Sequence, residues 1–445
     1  MKIDDLYKLF LDHPKICTDT RILEPNSLFF ALKGERFDGN IFAGKALEVC
    51  KYAVVDDPNV VKGESYILVD DVLSALQALA QKHRESISIP IIAITGTNGK
   101  TTTKELMASV LQTEFNTYAT KGNLNNHIGV PLSILEIPLD CQMAIIEMGA
   151  NKVGDIMELC QIAKPTHGVI TNVGKAHLEG FGSFENIMRA KGELYDYLYV
   201  NGGTAFVNYD NEYLEDMNPP RKTIHYGVSR FTHCQGQIIK ETPFLSFRWI
   251  STEELLYDDS ELDWSASERA IQLKLVGKYN FENALAAVCV ANFFNVDDIH
   301  IKNALEKYEP HNNRSQLLET ATNKLIVDCY NANPTSMRLA IEVFLKFEGD
   351  SKIMILGDML ELGKVSTREH DVLTHYIADL PSIKYVYFVG GEFRSVADET
   401  KNFRWFSDVE ELINFLQSSP IKNSTVLIKG SRGITLEKVL PVLHA

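Results

Sequence analysis

The sequence of 445 residues predicts an α/β protein of three domains. Three observations carry that reading. Short apolar, β-branched runs alternate with helical stretches along most of the chain, the pattern of parallel sheets covered by helices. One run, Ile91-Ile-Ala-Ile94, leads into Gly96-Thr-Asn-Gly-Lys-Thr101 and then the breaker-free stretch Lys104–Gln112. The alternation restarts after Glu309-Pro-His-Asn-Asn-Arg314. The divisions are read at 1–86, 87–310 and 311–445: an N-terminal α/β domain, a central parallel-sheet domain with a phosphate loop (P-loop), and a C-terminal Rossmann-like domain.

Composition narrows the class. Apolar residues make up 45% and charged residues 23%, as in an ordinary globular enzyme. The net charge of -15 argues against nucleic acid as a partner, since binding its phosphates needs a basic surface. A small anionic substrate needs only a local basic cluster. Seven cysteines at scattered positions, without C-x-x-C spacing, suit reduced thiols and no structural zinc. The first residues lack a signal-peptide core, and no apolar run approaches the ~18 residues of a membrane span. The expectation is a cytoplasmic monomer with no membrane insertion.

In the N-terminal domain, strands are expected at Leu28–Leu32, Tyr52–Val55 and Tyr66–Val69, and a helix at Val72–Ser86. Arg21, Lys33 and Arg36 either gather around a diphosphate or remain solvated surface charges; spacing leaves both open.

The central domain opens on the glycine turn. Its backbone N–H groups and the following helix N-terminus suit phosphate oxygens, with Lys100 reaching the terminal phosphates and the Thr101 hydroxyl on Mg2+. Ile94 stands where the general pattern has glycine, so a tight turn with an incidental Lys-Thr is the competing account. Further strands are expected at Met143–Glu147, Gly168–Asn172 and Thr204–Asn208. Active groups collect at the carboxyl ends of such strands. Glu147 falls there as a second Mg2+ anchor, or else caps the next helix. His177 follows another strand, between Gly174 and Gly180, as a candidate metal ligand. Asn123–Pro131 reads as a loop over the site. Lys191 lies in a helical pattern, Glu185–Leu198, where a lysine is by default a surface charge. Residues 209–270 are irregular and partly acidic, and carry no assignable chemistry. Asn280 and Asn283, three apart at a helix start, suit an adenine edge.

The C-terminal domain alternates through Leu325–Asp328, Lys352–Leu356, Tyr385–Val389 and Thr425–Lys429. It lacks G-x-G-x-x-G after its first strand, which disfavours a dinucleotide. Its strand ends instead carry Asp328–Ser336, Gly357–Gly363 and Lys429–Gly433. A rim with Asp358, Lys429 and Arg432 suits a small zwitterion or a nucleotide ribose and phosphate.

These segments together resemble the Mur ligase family over all three domains. The resemblance rests on Thr18-Asp-Thr-Arg21, Phe30–Asp38, Gly96–Thr101, Gly122–Asn126, Ile128–Leu132, Glu147–Asn151, Ala176–Gly182, Ala190–Glu193, Asp328–Ser336 and Leu356–Gly363. The 209–270 stretch does not carry it. The likeness implies an enzyme, a ligase that activates a carboxylate as an acyl phosphate with ATP and joins it to an amine. Its implied substrates are UDP-MurNAc-tripeptide and D-alanyl-D-alanine, in peptidoglycan precursor synthesis.

The resemblance also implies roles. ATP falls to Thr95, Gly96, Thr97, Asn98, Gly99, Lys100, Thr101, Thr102, Asn280, Asn283, Arg314 and Asp328. Two Mg2+ ions fall to Thr101, Glu147, His177 and Lys191, with Lys191 carbamylated by CO2, which replaces the surface-charge reading. Lys100, His177 and Lys191 are the implied catalytic residues. The UDP substrate falls to Thr20, Arg21, Lys33, Gly34, Arg36, Asn123, Asn125 and Asn126, and the dipeptide to Asn331, Asn333, Ser336, Asp358 and Glu361. Rival readings are a tripeptide-forming Mur ligase, a folylpolyglutamate-type ligase, and an ATP-hydrolysing regulatory protein. Glu147–Asn151 and Asn331–Thr335 favour the dipeptide-adding ligase over the first two. A third-domain rim and a second metal site speak against plain hydrolysis.

Overall fold

The computed structural model describes residues 1–34, 37–174, 178–251, 270–349, 351–380, 382–395 and 402–444. Three main sheets organise them. The first is parallel, in the order Ile16–Cys17, Leu28–Phe30, Tyr52–Val55 and Tyr66–Leu68. The helix Val72–Ser86 follows. Asp71 caps it by accepting from the Ser74 N–H, and Val72, Leu76, Leu79 and Ala80 lie buried along one face. That helix packs on Gly129–Leu135 and Asp155–Ala163, which belong to the central layers. One apolar core therefore runs from Leu6, Phe10 and Leu28 through Leu76 to Ile91, Ala144 and Ile170.

Among the described residues the central sheet has nine strands. From one edge they are Thr117–Ala119, Met143–Glu147, Ile91–Thr95, His167–Ile170, Thr204–Asn208, Lys222–Gly227, Cys234–Lys240, Ser246–Ser251 and Ile271–Gln272. Pairing is parallel as far as Cys234–Lys240 and antiparallel beyond it. Ile91–Thr95 and its neighbour Met143–Glu147 are buried at every position, as a central parallel strand requires. Residues between 209 and 251 thus widen this sheet, and 252–269 lie outside the described residues.

Two expectations change. The phosphate-loop helix begins at Lys100, directly after Gly99, rather than at Lys104. The polar stretch ending at Pro131 turns helical at Gly129. Asn126 Oδ1 accepts from the N–H groups of Ile128 and Gly129, and Pro131 sits in the first turn, where its missing N–H costs nothing.

The C-terminal sheet orders Gln316–Glu319, Asn323–Asp328, Ser424–Lys429, Lys352–Gly357, Tyr385–Val389 and Phe403–Phe406. Only the first pairing is antiparallel. The loops after Asp328, Gly357 and Lys429 therefore share one rim. No helix among the described residues is long and apolar enough to cross a membrane.

Candidate active site

The strand Ile91–Thr95 delivers the glycine turn to the carboxyl edge of the central sheet. The turn is pinned from the adjacent strand end. Thr97 N–H donates to Asn172 O, Asn98 N–H donates to Asn172 Oδ1 at 3.0 Å, and Thr171 Oγ1 donates to Asn98 O at 2.6 Å. Gly99 has φ +82°, and a Cβ there would stand 2.4 Å from Asn283 Oδ1. Gly99→Ala is expected to destabilise the protein by at least about 1 kcal/mol through the left-handed backbone alone. It should also weaken ADP binding; thermal melts with and without ADP read both effects.

A cavity of about 1300 Å³ opens between this turn and the rim of the C-terminal sheet. Gly96 through Thr102 line it, as do Asn123, Asn125, Asn126, Glu147, Lys191, Asn280, Asn283, Arg314 and Asp328. Lys100 Nζ donates to Gly96 O at 2.8 Å and Thr97 O at 3.1 Å. Burial pushes its pKa down, Glu147 opposes that, and Arg314 adds to it. Thr101 Oγ1 donates to Glu147 Oε2 at 3.0 Å, and Asn125 Nδ2 donates to Glu147 Oε1 at 2.8 Å. Glu147 is 1% exposed.

Lys191 is the group that the structure recasts most. It points inward from the helix Phe184–Asn201 and is 3% exposed. Burial, with Lys100 as the next cause, lowers its pKa to about 7. Its ammonium lies 5.7 Å from the Phe181 ring, and it forms no ion pair among the described residues. The default of a solvated surface lysine therefore fails. His177 and Arg36 lie outside the described residues. Among the described residues, no three His, Cys, Asp or Glu side chains converge as a metal cage. Thr101 and Glu147 do offer paired hard oxygens of the kind Mg2+ takes, facing the cavity.

Other expected residues divide by position. Thr95 is buried at its strand end and does not line the cavity. Asn280 Nδ2 donates to Val276 O, Asn283 Nδ2 to Asn280 Oδ1, and Thr103 Oγ1 to Asn283 Oδ1. Both asparagines thus stiffen the start of their helix. Arg314 stacks on Tyr330 at 3.7 Å, and Asp328 Oδ2 pairs with Lys429 Nζ at 2.6 Å. Asn331, Ser336 and Glu361 line the cavity. Glu361 adopts φ +67°, a strained conformation of the sort that clusters at ligand clamps.

Asn333 and Asp358 hold the rim loops instead of facing the cavity. Asn333 caps the helix Pro334–Leu345, and its Nδ2 donates to Asn98 Oδ1 at 2.8 Å, joining the two domains. The Asp358 carboxylate turns inward and accepts from the N–H groups of Glu392 and Phe393. Arg21 pairs with Asp19 and Lys33 with Asp56; with Thr20 and Gly34, they do not line the cavity.

Lys104 escaped sequence reasoning. It is 2% exposed, with Nζ 3.4 Å from Glu147 Oε2 and donating to Gly122 O at 3.2 Å. The available signal was its place on the buried face of its helix, four residues before Ala108 and seven before Leu111.

A glycine turn with a half-buried lysine, an acid facing a hydroxyl, and a third-domain rim across one cavity define a nucleotide-dependent transfer enzyme. Comparison with known proteins specifies it. Residues 94–291 match the Mur ligase middle domain, and 313–432 match the Mur ligase glutamate ligase domain. The chain belongs to the Mur ligase family. Within that family it falls among the MurF ligases. It is 33% identical to the UDP-N-acetylmuramoyl-tripeptide–D-alanyl-D-alanine ligase of Bacillus subtilis, over 96% of this chain and 92% of that protein. The crystal structure of MurF from Acinetobacter baumannii superposes with a TM-score of 0.83 at 32% identity, covering 97% of this chain and 93% of that one. MurF from Thermotoga maritima, solved with ADP, gives 0.82 at 27% identity over 98% of both chains.

Proposed function

We propose that this protein is an ATP-dependent carbon–nitrogen ligase that adds D-alanyl-D-alanine to UDP-MurNAc-tripeptide through an acyl phosphate, in peptidoglycan precursor synthesis. The observation that carries it is the single cavity shared by Lys100, Thr101, Glu147, Lys191 and Arg314 with Asn331, Ser336 and Glu361 of the rim. A free carboxylate is a poor acyl donor, so the tripeptide carboxylate first takes the γ-phosphoryl group of ATP and releases ADP. The dipeptide amine then attacks the acyl carbon, and phosphate leaves.

The turn Gly96–Thr101 cradles the phosphates, and Lys100 leaves its loop carbonyls to meet the transferring group. Arg314 faces the nucleotide phosphates and Asp328 its ribose. Thr101 and Glu147 would hold one Mg2+, and His177 with a carbamylated Lys191 a second. When bound, the ions neutralise charge shared by the phosphates and the attacking oxygen. Lys191 suits carbamylation because a pKa near 7 leaves much of the amine neutral, the form that attacks CO2. Asn331, Ser336 and Glu361 receive the dipeptide, on loops held by Asn333 and Asp358. The N-terminal domain, through Thr20, Arg21, Lys33, Gly34 and Arg36, holds the UDP end, and Asn123, Asn125 and Asn126 adjoin it.

Phosphate release is the test. It should require both UDP-MurNAc-tripeptide and D-alanyl-D-alanine; release independent of both would identify a plain ATPase and sink the proposal.

A further inference from the structure

We propose that Arg432 reads the free carboxylate of the incoming dipeptide and so makes the site selective for an acceptor with a charged terminus. The inference rests on the ligase reading above. Such an acceptor reacts through its amine, and its far carboxylate needs a fixed cation where it leaves bulk water.

Most basic side chains around the rim are already engaged. Lys429 pairs with Asp328, Lys346 with Glu241 and Arg338 with Glu342. Arg432 is exposed and has no ion-pair partner among the described residues. Its Nη1 donates to a neutral group, Tyr330 Oη, at 3.2 Å, and its guanidinium lies 5.2 Å from that ring. Tyr330 lines the cavity and Arg314 stacks on the same ring; Arg432 is not itself part of the lining and adjoins the cavity through that tyrosine. One tyrosine thus supports two cations: Arg314 for the nucleotide, and Arg432 left for another anion.

The backbone beneath Arg432 is fixed. Ser431 N–H donates to Asp358 O at 3.1 Å, Ser431 Oγ accepts from Leu360 N–H at 2.9 Å, and Ser431 Oγ donates to Ala332 O at 3.4 Å. These bonds tie the Arg432 loop to both other rim loops, including the one that carries Glu361. A planar guanidinium so held suits bidentate contact with a carboxylate.

The test compares D-alanyl-D-alanine with its C-terminal amide in phosphate-release assays. The wild-type enzyme should prefer the acid. In Arg432→Ala, kcat/KM for the acid should fall about 10- to 100-fold, the scale of one charge-assisted bond, and mainly through KM. The amide should be unaffected, so the preference collapses; Arg432→Lys should restore part of it. KM for ATP and the melting temperature should not move. An acid-over-amide preference that survives intact in Arg432→Ala would overturn the assignment. No dipeptide-dependent release in the wild-type protein would overturn the ligase reading, and this assignment with it.

Discussion

Lys100→Ala is expected to lower kcat at least ~100-fold, the scale of removing one key electrostatic group from a transition state. The amine is within reach of the phosphate site because it folds back on the loop, donating to Gly96 O and Thr97 O. Glu147 favours its charged form and Arg314 opposes it, and all three line the same cavity. Removal should spare the fold, since those two bonds stay within the loop. The check is single-turnover ADP formation beside a thermal melt. Near-normal turnover with an unchanged melt would refute the role given to the loop.

Lys191→Ala should be comparably inactive, and short-chain carboxylic acids should partly restore it. The substitution removes the buried amine and leaves space lined by Phe181 and the rest of the cavity. A small carboxylate can enter that space and supply the oxygens that a carbamate would have provided. An alkylamine of similar size should not rescue, which separates lost oxygens from lost volume. Full activity of Lys191→Ala with no additive would argue against a carbamate at this position.

Much of the fold was legible because buried parallel strands are written as unbroken β-branched runs. Tyr52–Val55, Met143–Glu147, Thr204–Asn208 and Tyr385–Val389 fall where the sequence puts them. The edge strands of the C-terminal sheet were not legible. Gln316–Glu319 is half-exposed, and Phe403–Phe406 is short and interrupted by Arg404, so neither shows a continuous run. The cavity was legible as motifs but not as a place. Asn98 and Asn333 are 235 residues apart, and only folding brings them into contact. Lys191 shows the same limit, since the groups that bury it come from distant segments, whereas Lys104 at least shares a helix face with the apolar Ala108 and Leu111.

The helix Val72–Ser86 ties the first sheet to the central one through a common apolar interior. The first and central sheets are then held in register by one packed interior rather than by a linker. The turn Gly96–Thr102, which lines the cavity, follows a strand whose Ile91 and Ala93 belong to that interior. Any substitution that hollows the Leu76 and Leu79 face of that helix therefore loosens the seating of the first sheet on the central one as well as the helix itself.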